Sequence, residues 1–203
     1  MKQPARRIVV APGSSPAPFS LRSRGYLPHI EASDATYFVT FRTAGTLPSS
    51  VVEDMRRTKQ VAQKVDEYLD RSSDACWLRD PKVAQLVVEA LKHFDVVRYR
   101  LHAWCVMPNH VHVVFAVLPG WSPALQNRTP LATIVQSWKS YTGRRANQIL
   151  GRSGEFWQRE YYDHVIRNED EFARYVEYTV NNPVKSGLCD RWDEYPWTGV
   201  AAP

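Results

Sequence analysis

Two apolar, β-branched segments separated by only three residues constrain the fold of this chain most strongly. Residues 96–106 (VVRYRLHAWCV) and 110–117 (HVHVVFAV) are rich in valine and aromatic side chains, which favour strands. The Met107-Pro108-Asn109 segment between them is typical of a tight turn. We therefore expect a β-hairpin here, with an antiparallel sheet built around it.

Further elements follow from hydrophobic periodicity and helix-capping signals. Strands are predicted at residues 34–43 and 160–166. Helices are predicted from Glu53 to about Leu69, from Asp80-Pro81 through Phe94, from Thr129-Pro130 to about Leu150, and from Asn168 to Asn182-Pro183. The order β-α-α-β-β-α-β-α predicts an α+β fold, in which helices pack on one antiparallel sheet in a ferredoxin-like or RRM-like arrangement.

Composition narrows the class of protein. The chain has 203 residues, of which 44% are hydrophobic and 23% are charged, and this balance is typical of a globular protein. The longest apolar runs all carry polar residues, so no membrane span is predicted. The cysteines Cys76, Cys105 and Cys189 are far apart and form no CxxC pair, which excludes a disulfide framework and a thiolate zinc site. We therefore expect a protein of a reducing compartment, the cytoplasm.

Positive charge is concentrated at the N-terminus. The formal net charge is +5, and residues 1–30 contain five basic residues and no acidic one. We expect residues 1–25 to form a flexible basic arm before a single domain at 26–203, and a polyanion to be the partner. An inert disordered tail would have the same composition.

Two histidines in the second strand of the hairpin are candidate metal ligands. His110 and His112 flank Val111, and alternate residues of a strand point to the same face of a sheet. Two imidazoles side by side on a strand can chelate a divalent metal. A buried, hydrogen-bonded histidine pair is the alternative interpretation of this short motif.

The last predicted helix carries a candidate partner for this pair. Tyr178 and Asn182 are four residues apart, so their side chains are neighbours at the edge of the packed helix face. The alternatives are a packing tyrosine and a helix-stop asparagine. Asp163 and His164 are rival third ligands, although a structural hydrogen-bonding pair is the favoured interpretation of these two residues.

Three blocks of sequence, in order and at compatible spacing, resemble a known family. They are MPNHVHVVF (107–115), EFWQREYYDHVIRNEDEFARYVEYTVNNPVKSGL (155–188) and EYPWTG (194–199), and residues 26–42 (YLPHIEASDATYFVTFR) add to them. Together they resemble the REP-associated tyrosine transposases, which are relatives of the IS200/IS605 transposases within the HUH single-strand endonucleases. The resemblance covers about residues 26–199.

This resemblance implies a site and an activity. It implies that His110 and His112 hold one divalent metal, that Asn182 is the third ligand, and that Tyr178 is the nucleophile. For these ligands Mg²⁺ or Mn²⁺ is expected. The implied activity is metal-dependent cleavage and rejoining of single-stranded DNA at repetitive palindromic hairpins through a 5′-phosphotyrosine, in a bacterial cytoplasm close to the nucleoid. The remaining tyrosines considered for this role are interpreted as packing residues.

Basic residues near aromatic ones are expected to contact the DNA, since phosphates attract cations and bases stack on rings. These residues are Lys139, Arg144, Arg145, Arg159, Arg167 and Lys185. A solvated charged surface is the alternative for each of them. For the whole protein, the alternative function is that of a non-catalytic, domesticated transposase that binds structured single-stranded DNA.

Overall fold

The computed structural model describes residues 19–23, 28–32, 34–45, 68–69, 75–121 and 130–201. Seven strands and three complete helices lie in these ranges. They are β1 (Phe19–Ser23), β2 (Pro28–Ala32), β3 (Thr36–Arg42), α1 (Pro81–Lys92), β4 (Tyr99–Val106), β5 (His110–Val117), α2 (Pro130–Ile149), β6 (Tyr162–Ile166), α3 (Glu169–Lys185) and β7 (Thr198–Val200). Within this part of the chain no helix combines the length and the apolar character that crossing a membrane requires.

A five-stranded antiparallel sheet forms the centre of the molecule, with strand order β6-β3-β5-β4-β7. The predicted hairpin is confirmed, because β4 and β5 pair directly across the Met107-Pro108-Asn109 turn. Strand β5 is the middle strand, so it is covered by neighbours on both edges. The predicted α+β fold with one antiparallel sheet is confirmed.

The two faces of this sheet are covered by different helices. Side chains that include Tyr37, Val113 and Phe115 form a core with α1 and α2. The alternate residues, among them Phe38 and Val114, pack against α3. Because residues alternate along β5, His110 and His112 share the face of Val114 and lie under α3.

Capping residues begin two of the helices as the sequence predicts. The Asp80 carboxylate accepts hydrogen bonds from the backbone N–H groups of Lys82 and Val83, directly before α1. The Asn168 side-chain oxygen accepts from the N–H of Glu171 at the start of α3. These bonds satisfy N–H groups that have no partner inside the helix.

The end of α3 differs from the prediction. The helix was expected to end at Asn182-Pro183, but it continues through Pro183 to Lys185. It closes at Gly187, which has a φ of +69°, where the N–H of Leu188 donates to the carbonyl of Pro183. Proline is tolerated here because only one helical hydrogen bond is lost, close to the end. Asn182 is therefore held inside a helix rather than at its frayed end.

Two further differences concern the edges of the fold. Residues Phe19–Ser23 lie within the segment expected to be a flexible arm, but they form β1 and pair with β2 in a separate two-stranded sheet. Strand β7 was not predicted; it pairs with β4, and a side chain at Gly199 would clash with the Trp104 ring at 2.6 Å. The helix predicted from Glu53 lies outside the described residues, apart from its end at residues 68–69.

Candidate active site

The two histidines of β5 point their ring nitrogens at each other. Both side chains are fully buried, and the Nε2 atoms of His110 and His112 are 3.0 Å apart. Two Nε2 atoms at this separation can bind one ion, because metal–nitrogen bonds are about 2.0–2.1 Å long for a metal such as zinc.

A chain of hydrogen bonds fixes the outer side of each ring. The Asn109 amide nitrogen donates to the carbonyl of Leu69 at 2.9 Å, so the Asn109 oxygen faces His110 Nδ1, which donates to it at 2.8 Å. His110 Nε2 is then an acceptor, and His112 Nε2 donates to it. His112 Nδ1 in turn accepts from the Thr40 hydroxyl at 2.8 Å.

Thr40 allows this arrangement to change when both Nε2 atoms are needed as ligands. A hydroxyl can donate or accept. If the His112 proton moves from Nε2 to Nδ1, Nδ1 donates to Thr40 Oγ1 and Nε2 is free to bind an ion. Partners of this kind on the outer nitrogen set the tautomer and orientation of metal-binding histidines.

Burial keeps both imidazoles neutral. Desolvation lowers the pKa of His110 to about 3. Desolvation also lowers the pKa of His112 well below its ordinary value, and the nearby Lys185 charge lowers it further. At neutral pH neither ring carries the second proton that would block metal binding.

Helix α3 brings Tyr178 to the histidine pair. The half-buried Tyr178 ring lies edge-to-face with His112 at 5.5 Å between centroids, and with Phe38 at 5.8 Å. The Lys185 ammonium lies 5.7 Å from the centroid of the same ring. The phenol is thus placed beside a potential metal site, with a positive charge next to it.

Asn182 lies one helical turn after Tyr178. Its side chain is 1% exposed, and neither its oxygen nor its nitrogen has a hydrogen-bond partner among the described residues. Burying an amide without a partner costs about 1–3 kcal/mol. An amide oxygen is a ligand that Mg²⁺ and Mn²⁺ accept, so the donor chemistry of His110, His112 and this amide suits a divalent cation.

The rival ligands are directed elsewhere. His164 interacts with Glu171 at 3.4 Å and stacks on Tyr175 at 4.9 Å between ring centroids. Asp163 precedes it on β6, so its side chain points to the opposite face of the sheet. Within the described residues no three His, Cys, Asp or Glu side chains form a metal-binding group. A site here depends on the amide.

The other tyrosines considered as nucleophile have packing positions, except Tyr141, for which the prediction of packing was wrong. Tyr175 stacks on Phe38 at 4.7 Å, and Tyr162 meets the same ring edge-to-face. Tyr161 packs against the core on the other face, and Tyr141 is 49% exposed on α2. Of the tyrosines in the described ranges, only Tyr178 makes an observed ring contact with His112.

The six basic residues fall into two groups. Lys139 is buried, and its ammonium donates to the carbonyls of Gln158 and Arg159 at 2.6 and 2.7 Å. Burial lowers its pKa to about 8. This lysine holds the loop before β6, so its ammonium is not exposed as a phosphate contact requires. Exposed residues make up the second group: Arg144, Arg145, Arg159, Arg167 and Lys185.

These exposed residues do not form one surface. Arg144 and Arg145 lie on α2, in the helical layer opposite Tyr178, whereas Lys185 lies beside Tyr178. Their contact with nucleic acid stays a prediction.

Sequence reasoning missed the residues that support the histidines. Thr40 and Asn109 had not been singled out, although a signal for each was present. Asn109 is adjacent to His110, and Thr40 belongs to the polar half of the alternating pattern in β3. The cross-strand pairing of Thr40 with His112 became visible only in the folded sheet.

Comparison with known proteins shows which sequences this chain resembles. The family model described as "Transposase IS200 like" matches residues 77–182. A REP-associated tyrosine transposase of Escherichia coli (strain K12) is 25% identical over 100 residues, which are 49% of this chain and 53% of that protein. A Haemophilus influenzae protein that carries the same name provisionally is 26% identical over 105 residues, 47% of this chain and 56% of its own length. The chain spans about half the length of these curated relatives.

A solved structure extends the comparison to the fold. It is described as a REP-associated tyrosine transposase bound to a REP hairpin, with a TM-score of 0.50 and 17% identity, and it covers 83% of this chain and 78% of that one. The fold is therefore shared, and the resemblance noted in the sequence is confirmed. Because the family model spans just over half of the chain and includes the histidine pair, Tyr178 and Asn182, this chain belongs to the IS200-like transposase family.

Proposed function

We propose that this protein is a metal-dependent endonuclease and strand transferase for single-stranded DNA, and that Tyr178 is its nucleophile. The observation that carries the proposal is the meeting of two distant segments. Strand β5 supplies two Nε2 atoms 3.0 Å apart, and α3 supplies a tyrosine in ring contact with one of these histidines. A buried histidine pair with a purely structural role would need neither the tyrosine nor the unpartnered amide of Asn182.

In this proposal His110, His112 and Asn182 hold one Mg²⁺ or Mn²⁺ ion. When bound, such an ion neutralises negative charge on the scissile phosphate and orients it. Thr40 and Asn109 keep both imidazoles in place, so little reorganisation is needed as charge develops. The apolar ring of Phe38 beneath His112 and Tyr178 excludes water from this side of the site.

Tyr178 Oη attacks the phosphorus of the DNA backbone. The bond between Oη and phosphorus forms while the bond from phosphorus to the 3′-oxygen breaks, and the phenolic proton leaves as the 3′-oxygen gains one. The products are a 5′-phosphotyrosine and a free 3′-hydroxyl. The energy of the phosphodiester is kept in the covalent link, so the reverse reaction with another 3′-hydroxyl joins strands. The Lys185 ammonium stabilises the negative charge near the attacking oxygen.

The proposed substrate is a hairpin formed by a repetitive palindromic sequence. The solved relative is described as bound to such a hairpin, and the chain carries a formal net charge of +5. The exposed arginines and Lys185 are the proposed phosphate contacts, and these would make binding weaken as salt rises.

The test combines labelled single-stranded hairpin DNA from the host's own repeats with Mn²⁺ and three proteins. These are the wild type, Tyr178→Phe and the matched control Tyr175→Phe, which removes a neighbouring hydroxyl from the same helix. On a denaturing gel we expect a protease-sensitive covalent adduct with the wild type and the control. Tyr178→Phe should form none, while a filter-binding assay shows unchanged hairpin affinity.

Each other outcome is informative. An adduct with Tyr178→Phe would show that another residue is the nucleophile. Hairpin binding without any adduct, even with the wild type, would support the alternative of a non-catalytic binding protein.

A further inference from the structure

Two residues near the end of α3 and the residue directly after it carry buried polar side-chain atoms that have no hydrogen-bond partner among the described residues. Thr179 and Asn182 are 0% and 1% exposed, and the Oγ atom of Ser186 is buried at the end of the helix. None of their side-chain oxygen or nitrogen atoms has a hydrogen-bond partner among the described residues. Only Asn182 has so far been given a role.

The spacing of these residues places them in one row along the end of α3. Positions 179, 182 and 186 are separated by three and four residues, so they lie on the same side of a helix. Ser186 lines a small pocket together with His110 and Asn109. At the other end of the row, Thr179 is adjacent in sequence to Tyr178, whose ring contacts His112.

Two of the three buried or half-buried hydroxyls of α2 show the ordinary arrangement, whereas the third, that of Thr133, also has no hydrogen-bond partner among the described residues. On α2, the Thr142 hydroxyl donates to the carbonyl of Trp138 and accepts from the indole N–H of Trp157. The Ser137 hydroxyl donates to the carbonyl of Ile134. A hydroxyl in a helix can thus bond to the preceding turn, and the Thr179 hydroxyl in α3 and the Ser186 hydroxyl directly after it do not.

We propose that the hydroxyls of Thr179 and Ser186 orient water molecules on a divalent cation held by His110, His112 and Asn182. This inference rests on the proposed function, because it assumes that the cation binds there. Three protein ligands leave positions open on Mg²⁺ or Mn²⁺, which prefer about six ligands and keep several waters. Each such water needs hydrogen-bond acceptors, and the two hydroxyls flank Asn182 by about one turn on either side.

The proposal makes an unusual prediction about stability. If the two hydroxyls are unpartnered without metal, replacing them by apolar groups of similar size removes a cost of burial. Thr179→Val combined with Ser186→Ala should therefore raise the metal-free melting temperature by roughly 2–4 °C. The same variant should bind Mn²⁺ about tenfold more weakly, as is typical for the loss of outer-sphere partners. A merely structural role would give the opposite change in stability.

The experiment measures Mn²⁺ affinity by isothermal titration calorimetry and the metal-free melting temperature by calorimetry. Thr142→Val is the matched control, because its buried hydroxyl has two partners; it should lower the melting temperature and leave Mn²⁺ affinity within about twofold of the wild type. The inference is wrong if the Thr179/Ser186 double variant binds Mn²⁺ as the wild type does. It is also wrong if the double variant is destabilised without metal in the way that Thr142→Val is.

Failure of the inference can be distinguished from failure of the proposed function. A wild type that binds no Mn²⁺ would overturn both. A wild type that binds Mn²⁺ and forms the covalent DNA adduct, beside a double variant of equal Mn²⁺ affinity, would overturn only the role of the two hydroxyls.

Discussion

The two faces of the central sheet differ in whether their buried polar groups have hydrogen-bond partners. Under α1 and α2, the Trp138 indole donates to Tyr99 Oη, which donates to the carbonyl of Leu91, and the Lys139 ammonium has two carbonyl acceptors. Under α3, Asn182 and its neighbours in the row have no partner among the described residues. These groups of the first face are satisfied among the described residues, so they serve stability, and Thr133 Oγ1 of α2 is an exception without a partner there. The second face is left incomplete, as expected where a ligand supplies the missing bonds.

The largest expected effect comes from removing a proposed metal ligand on the incomplete face. His112→Phe keeps the ring that stacks on Phe38 at 5.5 Å but removes both nitrogens. We expect Mn²⁺ affinity, measured by calorimetry, to fall more than about a hundredfold, since a direct ligand contributes more than an outer-sphere partner. The metal-free melting temperature should also fall, because Thr40 Oγ1 and His110 Nε2 lose the hydrogen bonds that His112 provides. Retention of wild-type affinity would mean that the cation binds elsewhere.

On the face covered by α1 and α2, the buried Lys139 should make the free energy of unfolding depend on pH. Burial lowers the pKa of Lys139 to about 8, from 10.5 for an ordinary lysine. Between these values the unfolded chain keeps a proton that the folded chain has lost, so the Lys139 contribution to the free energy of unfolding rises with pH. Relative to Lys139→Met, we expect the wild type to gain about 2–3 kcal/mol across this window.

Urea unfolding of the wild type and Lys139→Met at several pH values from 8 to 10.5 measures this gain. Other titrating groups contribute equally to the slope of unfolding free energy against pH in both proteins, so the difference between the two slopes reports on Lys139. Tyr99 is one such group, because burial raises its pKa to about 12. Parallel curves for the two proteins would contradict the assignment. The covalent adduct with DNA should form with both.

A smaller effect is expected from the residue that supports His112. Thr40→Val removes the hydroxyl 2.8 Å from His112 Nδ1 and keeps the shape of the side chain. We expect Mn²⁺ affinity to fall about tenfold, because the tautomer with a free Nε2 loses its partner. Thr36→Val, at the other end of β3 on the same face, is the matched control. Equal affinities for the two variants would show that Thr40 does not orient the ring.

Much of the fold could be predicted because its signals are local. The hairpin, the alternation in β3 and the caps at Asp80 and Asn168 each depend on a few adjacent residues. Strand β7 has only three residues and no detectable period, and its position depends on pairing with β4. The end of α3 was misplaced because proline weakens a helix less in its last turn than in its middle.

The sequence indicates which residues are candidates for the site, but it does not predict how these residues are arranged in space. Strand alternation places His110 and His112 on one face, and helical spacing makes Tyr178 and Asn182 neighbours. That these pairs meet depends on how α3 crosses the sheet, which no local pattern encodes. The burial of Lys139 was missed for the same reason, because its acceptors lie on a loop about twenty residues away in sequence.

The position of α3 between the two margins of the sheet limits how the tyrosine can move. Helix α3 follows β6, which is one edge strand of the five-stranded sheet, and it precedes β7, which is the other edge strand. Both ends of the helix are therefore anchored to the sheet. At the β7 edge, Thr198 Oγ1 donates to the carbonyl of Trp104, and Tyr195 Oη donates to the carbonyl of Val106. Exchange of α3 between two copies of the chain would require the pairing of one edge strand with the sheet to break. In the proposed function we therefore expect Tyr178 to act with His110 and His112 of its own chain.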